Sequence, residues 1–143
     1  MRHGKYAQQK TKQEIGYLAN YLQACETKED LYLKRGVAIP DVGRLFGESI
    51  KSDPKSVIGK IFTGKGFTST TPYEGGGFGG NVIEYIYAPR GTHGAYIEKY
   101  DVAKNEHEFL INKGQRYVIR NVEIEKNQWG EVQYRVFLEA ING

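Results

Sequence analysis

Scarcity is the first feature of this 143-residue chain. One cysteine, Cys25, excludes an internal disulfide, and His3 and His93 stand without an acid or thiol at metal-ligand spacing, so no metal site is expected. No apolar run comes near the roughly 18 residues that a membrane-spanning helix needs, and Met1-Arg2-His3-Gly4-Lys5 lacks the apolar stretch of a signal peptide. A membrane partner is therefore not expected. Charge of one sign is lacking too: the net charge is +3, with eleven Lys/Arg against seven Asp/Glu in residues 1–60 and nine against ten in residues 61–143. A nucleic-acid footprint would concentrate basic residues, so nucleic acid is not expected either. Prolines number only four, whereas eighteen glycines and eleven tyrosines favour short strands and tight turns over an all-helical protein.

The length fits one domain able to bury a core without staples. Thr11-Lys12-Gln13-Glu14 has the spacing of a capping box, and Ile15, Leu18, Leu22 and Cys25 follow as an apolar stripe, which predicts a helix over 12–25 with Cys25 as a core thiol. Leu31–Val37 reads as a strand ended by Pro40. Asp41 predicts a short helix over Val42–Glu48; Asp53-Pro54 predicts another, with Gly59 as its stop. Strands are then predicted at Ile61–Thr71, Asn81–Ala88, Ala95–Ile97, Glu106–Ile111, Gln115–Ile124 and Val132–Ile141. Asn81–Tyr87 is apolar on nearly both faces, the mark of a central strand, and Asn127–Glu131 with Gly130 reads as a hairpin turn. Helices early and strands late make an α+β architecture.

Three short constellations carry chemistry. Glu106 and Glu108 lie two apart on a strand, so both carboxylates reach one side; a solvated acidic edge is the plain alternative. Ser69-Thr70-Thr71 ends a strand with three hydroxyls, which either satisfy an ordinary edge or, through Ser69, hold a neighbouring carboxylate in one rotamer. Arg35, in an otherwise apolar strand, needs an anionic partner to offset desolvation; a structural salt bridge and a pyrophosphate both qualify, and Gly36 allows close approach to the backbone. The run Gly75–Gly80 lacks the Gly-Lys-Ser/Thr ending of a P-loop and reads as a flap carrying Phe78.

In this order, Arg35, then Phe67-Thr68-Ser69-Thr70-Thr71, then Glu106-His107-Glu108, the chain resembles the mono-ADP-ribosyltransferase toxins of the arginine, Ser-Thr-Ser, Glu-x-Glu branch, especially compact domains of bacterial toxins and phage head-associated proteins. Leu31–Gly36, Gly59–Thr71 and Gly94–Tyr117 carry the resemblance. It implies a split β-sandwich of two small sheets with short N-terminal helices, residues 1–30 preceding an NAD-binding core over 31–143, with NAD as substrate and no metal. It also implies roles. Arg35 would hold the NAD phosphates and Gly36 would contact the nicotinamide amide; Ser69 and Thr70 would belong to the NAD-binding site, Ser69 also orienting Glu108, and Phe78 would shield the nicotinamide. Glu108 would stabilise the oxocarbenium-like cation, and Glu106 would position and deprotonate the nucleophile. In the family a glutamate at that second position accompanies transfer to arginine, so the implied acceptor is an arginine side chain of a protein. The loop Glu98–Asn105, with Tyr100, occupies the family's substrate-recognition position.

The chain departs from the family at three points. Thr71 stands where serine is usual; the flap has no second phosphate-binding arginine, Arg90 lying beyond the next strand; and only some thirty residues precede Arg35. The last point is compatible with a monomeric domain taken from a longer chain. An NAD glycohydrolase using water as acceptor would need the same Glu108, and a non-catalytic phage structural module would keep the fold alone. Secreted, delivered-effector and phage-associated settings all accommodate the missing leader.

Overall fold

A computed structural model describes residues 4–37, 47–72, 82–98 and 107–142. Helix α1 (Gly4–Ala24) is followed by strand β1 (Leu31–Val37), a short helix α2 (Gly47–Ser52) and a 3-10 turn (Pro54–Val57). Seven strands complete the chain: β2 (Ile61–Thr63), β3 (Thr68–Pro72), β4 (Val82–Ala88), β5 (Gly94–Glu98), β6 (His107–Ile111), β7 (Arg116–Lys126) and β8 (Val132–Ile141). Helix first and strands after is the expected α+β arrangement, although the leading helix is 21 residues long and not short.

The strands run in the order β2-β7-β8-β4-β1-β3-β6-β5. Continuity changes hands within β3, where Thr68, Ser69 and Thr70 pair with Ile111, Leu110 and Phe109 of β6, while Thr71 and Pro72 pair with Lys34 and Leu33 of β1. Two sheets thus share one short strand, which realises the expected split sandwich. β4 is central, antiparallel to β1 and parallel to β8, as its apolar sequence predicts. Along β8 the even positions Val136, Leu138 and Ala140 are buried, so the period-two pattern does mark the core face. The core joins these to Leu33, Val82, Ile86, Val122, Ile50 of α2 and Val57 of the 3-10 turn, each apolar side chain contributing about 1.5–3 kcal/mol by burial.

Several local expectations are corrected. Helix α1 begins at Gly4, two turns before Thr11, so Thr11–Glu14 lies within it and not at its start; Lys5 to Lys10 contains good helix formers and no breaker. Of the predicted stripe only Leu22 is fully buried; Ile15 is exposed and Cys25 only partly covered. The helix is anchored by its last turns, where the Asn112 side chain, just past β6, donates to Ala19 O at 3.1 Å and to Gln23 Oε1 at 3.2 Å. Asp53 makes no side-chain cap bond and Pro54 starts a 3-10 turn instead, with Gly59 beyond it at φ +91°. The predicted helix over Val42–Glu48 falls mainly outside the described residues, and α2 starts only at Gly47. Ile61–Thr71 is two strands, because Gly64–Phe67 carries the chain from the edge of one sheet to the junction of both. Among the described residues no helix is long and apolar enough to cross a membrane, and no group of three His, Cys, Asp or Glu could hold a metal ion.

Gly94 shows how tightly β5 lies on β6. A Cβ there would meet Leu110 O at 2.6 Å and the Phe109 ring at 2.8 Å, whereas one at Gly66 would meet nothing within 4 Å. Gly94→Ala should therefore cost about 2 kcal/mol or more in chemical denaturation through overpacking, while Gly66→Ala should cost nothing measurable.

Candidate active site

The junction strand sets the geometry. In β3 alternate residues face opposite ways, so Thr68 and Thr70 are buried and Ser69 is exposed. Thr70 Oγ1 donates to Phe109 O at 2.7 Å, which fastens β3 to β6 by side chain as well as backbone. On β6, Phe109 and Ile111 fill the core, which turns Glu108 to the face shared with Ser69. Ser69 pairs with Leu110, so Glu108 is its diagonal neighbour across the ladder. Ser69 Oγ donates a hydrogen bond to Glu108 Oε1. The hydroxyl cluster and the second acid, 39 residues apart in sequence, are therefore one unit.

Arg35 lies on β1, beyond the junction. It lies directly opposite Glu84 of β4, and its Nε is 3.4 Å from Glu84 Oε1, with side-chain exposures of 32% and 13% respectively. The anionic partner that a strand arginine requires is thus present within the protein. Tyr117 of β7 stacks on Phe62 and donates its hydroxyl to Thr68 Oγ1 at 3.1 Å. Burial, with the nearby Glu84 carboxylate adding to it, pushes the Tyr117 phenol up to about 12, against the opposing pull of Thr68 and Arg35. Tyr117 is thus bonded to the start of the serine strand and feels the charges of Arg35 and Glu84. Neither Glu84 nor Tyr117 stands out in the sequence reading. The available signal was a lone acid in the apolar run Val82–Tyr87, complementary to the lone arginine of Leu31–Val37.

Gly36 sits beside Arg35 opposite Ile83, and Thr71 Oγ1 is buried at the junction without a hydrogen-bond partner among the described residues. Glu106 and Phe78 lie outside the described residues, as does nearly all of the loop Glu98–Asn105. Two clefts elsewhere, of about 390 and 350 Å³, involve none of Arg35, Ser69 or Glu108. His93, with no acid at metal-ligand spacing in the sequence, has Glu26 at 4.0 Å and its Nδ1 3.2 Å from Cys25 O; these contacts hold the segment just past α1, and among the described residues they complete no metal-ligand group.

The described residues thus bring together one exposed hydroxyl, Ser69, and the carboxylate it holds, Glu108, with Arg35 on β1, the strand that pairs with the other end of β3. The profile of the family described as ADP-ribosyltransferase exoenzyme matches residues 2–141. The chain belongs to that family. NAD is the substrate of ADP-ribosyltransferases, and mono-ADP-ribosyl transfer is the chemistry of the toxin group. Among solved structures, the C3larvin toxin of Paenibacillus larvae, an ADP-ribosyltransferase, superposes with a TM-score of 0.76 at 22% identity over 92% of this chain and 71% of that one. The ADP-ribosylating toxin BECa of C. perfringens, solved with NADH, gives 0.78 at 19% identity over 99% of this chain and 38% of its own. The Salmonella SpvB ATR domain gives 0.69 at 16% identity over 99% and 77%. At these identities the likeness establishes the shared fold. No curated protein sequence matches the chain.

Tyr117 allows a test of its own burial and of its bond to Thr68. Because its phenol titrates near 12 when folded and at 10.0 ordinarily, the stability it contributes is complete below pH 10 and is lost as pH rises toward 12. That loss amounts to about 3 kcal/mol at most. Denaturation of wild type and Tyr117→Phe across that window should show a steeper alkaline loss in wild type, and the variant should be about 1 kcal/mol less stable at neutral pH for want of the bond to Thr68.

Proposed function

We propose that the chain transfers ADP-ribose from NAD to an arginine side chain of a protein acceptor, releasing nicotinamide. The observation that carries this reading is the hydrogen bond by which Ser69 fixes Glu108 on one face of β6, on the fold of an ADP-ribosyltransferase family. In the reaction the bond between the ribose C1′ and the nicotinamide nitrogen breaks, and its electron pair returns to the nicotinamide ring. Positive charge builds on the sugar, and Glu108 is the fixed carboxylate that stabilises it and binds the 2′-hydroxyl. A guanidine nitrogen then bonds to C1′ and gives up its proton, with Glu106 as the acceptor of that proton. Arg35 holds the pyrophosphate through its planar fork, Gly36 offers backbone contacts, Thr70 keeps the strand that bears Ser69 in place, and Phe78 covers the nicotinamide.

Arginine is favoured as acceptor by the glutamate at 106, the position at which the family's acceptor preference divides. The domain acts as a single ADP-ribosyltransferase-like unit. Its structural neighbours are described as toxins, which supports a secreted or delivered effector over a phage structural role.

The test is nicotinamide release and label transfer from labelled NAD in cell lysate. Glu108→Gln should lose both by roughly 10²-fold or more, while Glu106→Gln should lose transfer and retain some hydrolysis. Hydrolysis by wild type without any protein labelling would favour an NAD glycohydrolase, and no nicotinamide release under any condition would favour a binding module.

A further inference from the structure

We propose that Glu84 is a positioning residue for the NAD phosphates: its carboxylate holds the Nε edge of Arg35, leaving the terminal nitrogens of the guanidinium as the edge presented to the pyrophosphate. This rests on the reading of Arg35 as the phosphate-holding residue.

Four observations lead to it. The two residues are direct partners in the β1–β4 ladder, so the pairing is set by backbone register and not by side-chain wandering. The ion pair meets Arg35 through Nε at 3.4 Å, the position on the guanidinium that a phosphate fork does not require. Glu84 is the more deeply covered partner and sits in the central strand between buried Val82 and Ile86, a place where an acid persists only with a compensating cation. Finally, β1, which bears Arg35, pairs through Leu33 and Lys34 with Pro72 and Thr71 of β3, so the strand that carries Arg35 is fixed to the strand that presents Ser69 to Glu108.

Glu84 also brings a negative charge toward the ligand, so its net effect needs weighing. Solvent at a one-third-exposed guanidinium screens that repulsion, whereas an unrestrained arginine must give up its rotamer freedom each time a phosphate binds. Ordering in advance outweighs the screened repulsion, and the sign of the effect follows.

The test is a double-mutant cycle read by equilibrium titration with NAD, which needs no turnover, together with KM and kcat for nicotinamide release. Glu84→Ala should weaken NAD binding about tenfold, the equivalent of one hydrogen bond to a charged group, with kcat changed by no more than about twofold. Glu84→Gln, which keeps an acceptor of the same reach, should lose only about threefold and carries the cycle if the alanine variant fails to fold. Both losses should vanish in an Arg35→Ala background. Unchanged or tighter NAD binding in the Glu84 variants would overturn the proposal, the tighter case making Glu84 a competitor of the phosphates. A loss that persists without Arg35 would overturn it as well, by showing an effect on the fold. If Arg35→Ala alone leaves NAD affinity intact, the phosphate-holding reading fails instead, an outcome visible without any change at Glu84.

Discussion

Strand β3 divides five residues between two sheets, and the candidate site depends on that division. Thr68, Ser69 and Thr70 take their backbone partners from β6, and Thr71 and Pro72 take theirs from β1. Because side chains alternate along a strand, anchoring Thr68 and Thr70 in the core leaves Ser69 no choice of face. The ladder to β6 then puts Glu108 on that same face, one diagonal away. On the other side of the junction β1 carries Arg35. A slip of one residue in the β3–β6 register would turn Ser69 inward and break its bond to Glu108.

Electrostatics reinforces this frame unevenly. The bond from Ser69 to Glu108 is of the charge-assisted kind, worth about 1.5–3 kcal/mol where water is excluded and less where it enters. Its value lies in holding one rotamer. The Arg35–Glu84 pair is partly covered, so removing one partner costs more than the pair itself contributes to stability. A buried Tyr117 fills the core and satisfies its hydroxyl on Thr68. The bond from Tyr117 to Thr68 thus links β7 to β3 through side chains near the point where backbone pairing changes partner.

Much of the frame was legible in the sequence because it rests on period-two burial. Leu31–Val37, Val132–Ile141 and the central strand ending at Ala88 emerge from alternation or from doubly apolar runs, and Gly59 and Gly130 mark turns that do adopt positive φ. Ser69 and Glu108 were legible as types in a fixed order, their contact was implied by the family resemblance, and strand register is what brings it about. The start of α1 was misplaced because a Thr-x-x-Glu spacing caps a helix only when the residues before it are unwilling to be helical, and Lys5–Lys10 are willing. Glu84 and Tyr117 went unseen because a lone acid or tyrosine in a strand has no local signature; what defines them is the strand next door.

The most direct measurement is a double-mutant cycle between Ser69 and Glu108, read as the rate of nicotinamide release from NAD. Where Ser69 acts by orienting Glu108, Ser69→Ala should slow the reaction on its own and add little further loss to Glu108→Gln. Independent, multiplicative losses would contradict a site built on that one contact.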